Sequence, residues 1–341
     1  MSNAEPAILV IGPAWVGDMV MAQSLFKLVR QLQPTIAIDV LAPDWTRGLL
    51  QRMPEVRHMH AIPIKHGEFQ WQTRKRIGQR LAAYAYQQAI VLPNSWKSAL
   101  IPWYAKIPRR TGWRGEMRYG LLNDMRKLNK QQLPLMIQRF AALGLEPKAL
   151  LPSHLPHPRL HVDITQRDET LARFNLSLEQ PILALCPGAE FGPAKRWPVQ
   201  HYAEVAGNYI NKGWQVWLFG SQNDQAVAHD IQACVPAPLT NLAGKTTLAE
   251  AIDLLSCATS VVTNDSGLMH IAAALNRSLV AVYGSSDPRF TPPLTQHVKI
   301  LRLGLACSPC FKRECPLGHL DCLQKLLPQQ VLTALDQFEI S

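Results

Sequence analysis

Several groups of residues in this chain have the types and spacing to handle an anion. Val261-Val262-Thr263 is apolar and β-branched, and it runs into Asn264-Asp265-Ser266-Gly267 just before an apolar helical stretch, 268–275. Asp and Ser start helices because their side-chain oxygens accept from otherwise unpaired N–H groups. Gly267 carries no side chain in that first turn, so an anion can approach those N–H groups at the positive end of the helix. With His270 three residues on, Asp265, Ser266, Gly267 and His270 read as a seat for the diphosphate and ribose of a nucleotide.

Asp18 is the sharpest candidate for acid–base work. It follows an apolar run at 7–12 and stands at the start of a helical pattern, where α/β sheets present functional groups. A carboxylate there is a general base if it reaches a substrate hydroxyl. It is equally a helix cap or a complement to the helix dipole, and both roles stay open. In the loop 186–198, two glycines and three prolines shape the chain, and Lys195-Arg196 puts cations at a strand's carboxyl end. Such a cation neutralises a departing diphosphate; a solvated lysine is the alternative.

Residues 109–119 pack Arg109, Arg110, Arg114 and Arg118 among aromatic neighbours. Arginine forks match phosphate and carboxylate geometry, and single-stranded nucleic acid is held by the same ingredients. Upstream, Asn94-Ser95-Trp96-Lys97-Ser98 opens a helix and is a second place for an anion. Asn94, Lys97, Arg110, Arg114 and Arg118 are therefore candidates for holding an anionic partner, with an exposed basic loop as the alternative. Cys307, Cys310, Cys315 and Cys322 follow a C-x2-C-x4-C-x6-C spacing. That set can close a tetrahedral zinc site, with His319 as a substitute ligand, although the spacing matches no standard finger or ribbon. Reduced packing thiols are the other reading.

These groups need a scaffold. At 341 residues and 47% hydrophobic, the chain can bury a sizeable core and make two domains. The pattern predicts strands near 7–12, 36–42, 58–62 and 88–92, with helices near 16–33, 71–86, 95–105 and 131–143. Pro147, Pro152, Pro156 and Pro158 then crowd one stretch, which reads as a linker because proline neither donates to a sheet nor continues a helix. A second alternation follows, with strands near 182–186, 215–219, 260–263 and 279–283. Its helices fall near 199–211, 224–234, 248–257 and 268–275. The expected class is α/β, as two facing Rossmann-like domains with a central cleft, and ligands at the strands' carboxyl ends.

Charge divides the same way. Residues 1–160 hold 22 Lys/Arg against 9 Asp/Glu, so +13; the remainder hold 13 against 16, so −3. The first half should seek something anionic. Two nucleotide signatures are excluded: Gly12-Pro13-Ala14-Trp15-Val16-Gly17 is not G-x-G-x-x-G, and Gly244-Lys245-Thr246 has Leu239 where a P-loop needs its first glycine. No stretch reads as a secretory signal, and no run approaches the ~18 apolar residues of a membrane span. A soluble, cytoplasmic protein is expected, in which cysteines are thiols or metal ligands. The opening Met-Ser-Asn-Ala is assigned no function.

Six segments carry a resemblance to a known family. They are Gly12-Pro13-Ala14-Trp15-Val16-Gly17-Asp18-Met19, Leu92-Pro93-Asn94-Ser95-Trp96-Lys97-Ser98, the block 110–123, the loop 186–198, the stretch 263–275, and Asp287-Pro288-Arg289-Phe290-Thr291-Pro292-Pro293. In that order the chain resembles the ADP-heptose:lipopolysaccharide heptosyltransferases of glycosyltransferase family 9. The resemblance implies a GT-B fold, with domains at 1–160 and 161–325 and a final helix, 326–341, packing back on the first. It implies inverting, metal-independent transfer of L-glycero-D-manno-heptose from ADP-heptose to the first heptose of the lipid A–Kdo core. Asp18 is then expected as the base and Lys195 as the diphosphate contact. Asp265, Ser266, Gly267 and His270 become the nucleotide seat, and Asp224, after Phe219-Gly220-Ser221, a ribose contact. No catalytic cofactor and no nucleic acid are expected, and the four cysteines are not expected to do chemistry. The basic half would hold the acceptor's phosphates and Kdo carboxylates and favour an anionic inner-membrane face.

Overall fold

The computed structural model describes residues 6–64 and 68–339; the opening Met1 to Ala4 lie outside the described residues. The chain divides into two compact units at Pro158/Arg159, close to the expected limit at 160. In the first unit the elements run β1 (Ala7–Ile11), α1 (Val16–Leu32), β2 (Ala37–Pro43), α2 (Arg47–Leu50), β3 (Val56–Ile62), α3 (Trp71–Leu81), β4 (Gln88–Val91), α4 (Trp96–Tyr104), β5 (Arg109–Trp113), β6 (Asp124–Arg126) and α5 (Met136–Gly144). The second unit runs α6 (Ile164–Arg173), β7 (Ile182–Cys186), α7 (Val199–Asn211), β8 (Gln215–Leu218), α8 (Gln225–Cys234), β9 (Thr240–Asn241), α9 (Leu248–Leu255), β10 (Ser260–Asn264), α10 (Gly267–Ala274), β11 (Ser278–Val282), β12 (Val298–Leu301), α11 (Asp321–Gln324) and α12 (Pro328–Glu339).

Each unit holds one six-stranded sheet, in orders β3-β2-β1-β4-β5-β6 and β12-β11-β10-β7-β8-β9, with every pairing parallel. Counted from its own first strand, each sheet has the doubly wound order 3-2-1-4-5-6. The central strands β1, β7 and β10 are buried at every residue, as strands covered by helices on both faces must be. Strand order reverses between β1 and β4 and between β7 and β10, and there the loops part and leave room for a ligand. The α/β class expected from the sequence is the one found.

Of the block 109–119, for which an exposed basic loop is one reading, residues 109–113 are a strand: β5 pairs with β4 and with β6, and only 114–119 lie in the turn that follows. Asp124 neutralises the pair by meeting Arg109 at 3.2 Å and Arg126 at 2.8 Å, so charged residues can occupy this sheet edge. The helix after 326 packs on its own unit, since Val331, Leu332 and Leu335 join Val280, Val282 and Tyr202 in one core. Those three positions recur at helical spacing on one face, which the second unit's sheet already uses. At Gly78, α3 and α4 touch backbone to backbone: a Cβ there would stand 2.5 Å from Tyr104 Cβ and 2.7 Å from the Ile101 carbonyl.

Candidate active site

In the first unit a cavity of about 450 Å³ opens where β1, β2 and β4 end; Gly12, Asp18, Arg74, Asn94, Lys97 and Arg139 are among the residues lining it. β1 stops at Ile11, Trp15 takes an extended conformation before the helix, and its carbonyl accepts from the Met19 N–H at 2.9 Å. This puts Asp18 in the first turn of α1, half-buried and beside the cavity. Both roles read from the sequence thus meet in one place, because a first-turn carboxylate favours the helix dipole while its position faces open space. Asn94 arrives from the loop after β4 and Lys97 from the first turn of α4, across the strand-order reversal.

Two cavity cations escaped the sequence reading. Arg74 is buried, and its guanidinium donates to the Phe69 carbonyl at 2.6 Å, the Glu68 carbonyl at 3.2 Å and the Lys97 carbonyl at 3.3 Å. Burial lowers its pKa. Arg139 donates to the Leu133 carbonyl at 2.9 Å. Their only signal was an arginine at an inward-facing helical position.

Arg118 and Arg110 turn their guanidinium groups onto the protein's own backbone. Arg118 is fully buried and donates to the Pro93 carbonyl at 2.7 Å, to Asn94 Oδ1 at 3.3 Å and to the Trp113 carbonyl. Arg110 donates to the Leu121 carbonyl at 2.7 Å and the Ile107 carbonyl at 2.6 Å. Both close the turn between β5 and β6, where carbonyls without ladder partners need donors. Arg114 is exposed and stays a candidate for meeting an anion. The start of α4, read as an anion seat, faces the chain's own carboxylate: Glu116 Oε2 accepts from the Trp96 N–H at 3.0 Å.

The second unit's loops meet between β7 and β10. Lys195 Nζ donates to Asp265 Oδ2 at 2.6 Å, and the ammonium lies 4.9 Å from the centre of the Phe191 ring. The junction is held by Asn264, which is fully buried at the end of β10. Its Oδ1 accepts from the Trp197 N–H at 3.1 Å and the Tyr202 hydroxyl at 3.0 Å, and its Nδ2 donates to the Pro187 carbonyl at 2.6 Å. One amide thus ties both ends of the 186–198 loop to the strand that carries Asp265. Sequence reasoning named Asn264 only as a turn residue.

Ser266 precedes α10 with extended φ −144° and ψ 176°, and its hydroxyl makes no capping bond to the helix. His270 sits in the next turn, and burial pushes its pKa down to about 4, so it is neutral at physiological pH. At the end of β11, the buried Ser285 and Ser286 hydroxyls have no hydrogen-bond partner, and the Ser285 N–H donates to the Ala194 carbonyl at 3.3 Å. Two unsatisfied donors therefore lie beside the Lys195 loop.

Asp224 is buried, with one carboxylate oxygen engaged within the protein and Oδ1 without a hydrogen-bond partner. Its Oδ2 accepts from the Ser221 N–H at 2.9 Å and the Ser221 hydroxyl at 2.7 Å. A Cβ on Gly188 would fall 2.3 Å from its Cγ, so the glycine packs flat on the carboxylate. The residue expected as a ribose contact thus shapes the loop through Oδ2 and keeps Oδ1 unpaired. The four late cysteines are free thiols, and among the described residues no three His, Cys, Asp or Glu side chains are grouped to hold a metal. Backbone N–H groups of residues 317–320 lower the Cys315 pKa, while Cys322 packs against the second unit's core. Burial and the nearby Cys307, Cys310 and Cys315 thiols raise the Cys322 pKa, so the four cysteines gather in one region of the second unit as thiols.

The comparisons with known proteins agree with this layout. The family model for glycosyltransferase family 9 (heptosyltransferase) matches residues 74–321. The chain is 48% identical to lipopolysaccharide heptosyltransferase 2 of Escherichia coli strain K12 over 338 residues, covering 96% of this chain and 97% of that one. It is 51% identical over 308 residues to lipooligosaccharide heptosyltransferase 2 of Haemophilus influenzae, covering 87% and 88%. The solved structure of the E. coli ADP-heptose LPS heptosyltransferase II superposes with a TM-score of 0.88 at 46% identity, over 97% of this chain and 98% of that one.

Proposed function

The chain belongs to glycosyltransferase family 9, the heptosyltransferases, and from that premise we propose that it moves heptose from ADP-heptose to the first heptose of the lipopolysaccharide inner core. The observation that carries this reading is the near full-length likeness to relatives named heptosyltransferase 2.

The residues supply a single displacement. Asp18 removes the proton from the acceptor hydroxyl as its oxygen attacks the anomeric carbon. The new glycosidic bond forms as the bond to the diphosphate breaks, and ADP leaves from the opposite face with its electron pair. Inversion follows from one attack with one base. The leaving diphosphate is neutralised by Lys195 and the positive end of α10 at Ser266 and Gly267, with the neutral His270 behind them, so the step needs no divalent ion. Lys97, Asn94 and Arg114 present polar and cationic groups to the acceptor's phosphates and Kdo carboxylates. An acceptor anchored in lipid brings the enzyme to the anionic cytoplasmic face of the inner membrane as a peripheral protein. Among the described residues no helix is long and apolar enough to cross a membrane.

Incubation with ADP-heptose and Kdo2–lipid A, with and without the first heptose, tests the reading by product mass. One heptosyl residue should add only to the acceptor that already carries heptose. Addition only to the acceptor lacking it would identify a heptosyltransferase I, and ADP-sugar turnover without any acceptor would indicate an epimerase.

A further inference from the structure

The first unit carries a surface that neither its core nor its cavity uses. Phe69 precedes α3, Trp71 begins it, Trp96 begins α4, and Trp103 and Tyr104 end α4. Their rings form one continuous run, with centroids 4.9 Å apart from Trp96 to Phe69, 5.8 Å from Phe69 to Trp71, 5.7 Å from Trp71 to Tyr104 and 4.9 Å from Tyr104 to Trp103. The close approach of α3 to α4 at Gly78 makes the Trp71–Tyr104 contact possible. Yet Trp71 is 45% exposed and Trp103 44%, with Phe69 at 39% and Trp96 at 38%. Large apolar rings gathered in water mark a surface that meets something.

The charge around the rings says what. Lys75, Arg76 and Arg80 on α3 and Lys106 after α4 are exposed, whereas the two carboxylates at the ends of the run are engaged, Glu68 by Gln70 and Glu116 by the Trp96 N–H. A second copy would bring the same positive field against itself. Single-stranded nucleic acid stacks on free ring faces, but interplanar angles of 63°, 87° and 74° turn edges onto neighbouring faces within the run. An anionic bilayer suits both features, because Trp and Tyr settle at headgroup depth while Lys and Arg meet anionic lipid.

We propose that this aromatic and basic surface of α3 and α4 seats the first unit on an anionic bilayer. The proposal rests on the lipid-anchored acceptor of the function given above and names the surface that reaches it. Continuity with the cavity supports it. Buried Arg74 bonds the Glu68 and Phe69 carbonyls on one side and the Lys97 carbonyl on the other, and Glu68, Arg74 and Lys97 line the cavity with Asp18. A glycan rising from the bilayer therefore enters beside the rings, and the same arginine braces the cavity rim and the seat.

Vesicle flotation tests this, using phosphatidylethanolamine vesicles with and without phosphatidylglycerol. The wild type should float with the anionic vesicles and lose binding at high salt. Trp71→Ala/Trp103→Ala and, separately, Arg76→Glu/Arg80→Glu should each weaken binding at least about tenfold. Both should keep wild-type transfer to a deacylated, water-soluble acceptor while transfer to vesicle-embedded acceptor falls. Equal vesicle binding by wild type and both variants overturns the proposal, as does no binding by the wild type. Loss in the variants of oligonucleotide retention or self-association, with vesicle binding intact, overturns it too. A wild type that floats but transfers no heptose would sink the transferase reading and leave the seat standing.

Discussion

Lys195 Nζ lies 2.6 Å from Asp265 Oδ2, so the cation at the mouth of α10 already holds a carboxylate before any diphosphate arrives. If the donor's diphosphate binds here as proposed, it must share or displace that pair, which places the ammonium. Lys195→Ala should weaken ADP binding about 10- to 100-fold, the worth of one charge-assisted hydrogen bond. Calorimetric titration with ADP reads this directly. Unchanged affinity would confine Lys195 to neutralising Asp265.

Asp18→Asn keeps the shape of the side chain and removes its basicity. Turnover should fall by about 10²- to 10⁴-fold, the usual share of a general base, with ADP affinity within about threefold of wild type. If ADP binding disappears together with turnover, Asp18 is holding the fold and the base lies elsewhere.

Acid should find His270. Burial pushes its pKa down to about 4, against about 6.5 in an unfolded chain. Between those values the unfolded state binds the proton and the native state does not, so stability falls as pH drops from about 6.5 towards 4. The loss attributable to this group approaches about 3 kcal/mol. Urea titrations of wild type and His270→Gln across that range should show the variant's stability declining less. Parallel curves would mean that the imidazole takes up its proton without leaving the core.

Arg118 and Arg114 should separate cleanly. Arg118→Met strips donors from the Pro93 and Trp113 carbonyls and from Asn94 and should cost about 3 kcal/mol of stability. Arg114→Ala should leave the unfolding midpoint unchanged and raise the KM for the anionic acceptor. Wild-type stability with a raised acceptor KM in Arg118→Met would return that residue to recognition.

The strand–turn–helix from Ser260 to Ala274 was legible because each local signal agrees: a β-branched run, cap residues, glycine, then small apolar residues. Ile182–Cys186 and Val199–Asn211 fall where the patterns put them. β5 and β6 did not show, because Arg109, Arg110 and Asp124 break the apolar pattern and only pairing across the sheet makes a strand of them. For the same reason the charge of Arg110 and Arg118 could be read but not their direction. Composition says how many phosphates a segment could meet; the turn it makes decides whether carbonyls take those donors first. Asn264 is the converse case, since a residue typical of turns proves to be the buried tie between β10 and the loop after β7.

The indole N–H of Trp197 donates to the Leu326 carbonyl at 2.8 Å, and Val331 and Leu335 complete the second unit's core. During synthesis all six strands of the first sheet have emerged once residue 126 is out, and domains fold as units in that order. The second sheet has no such early moment, because its core is completed only by the helix at 328–339. On the division of sites proposed above, the cavity beside Asp18 would form before the Lys195–Asp265 site. A message cut short of residue 328 would keep every strand of the first sheet and lack Val331, Leu332 and Leu335 from the second unit's core.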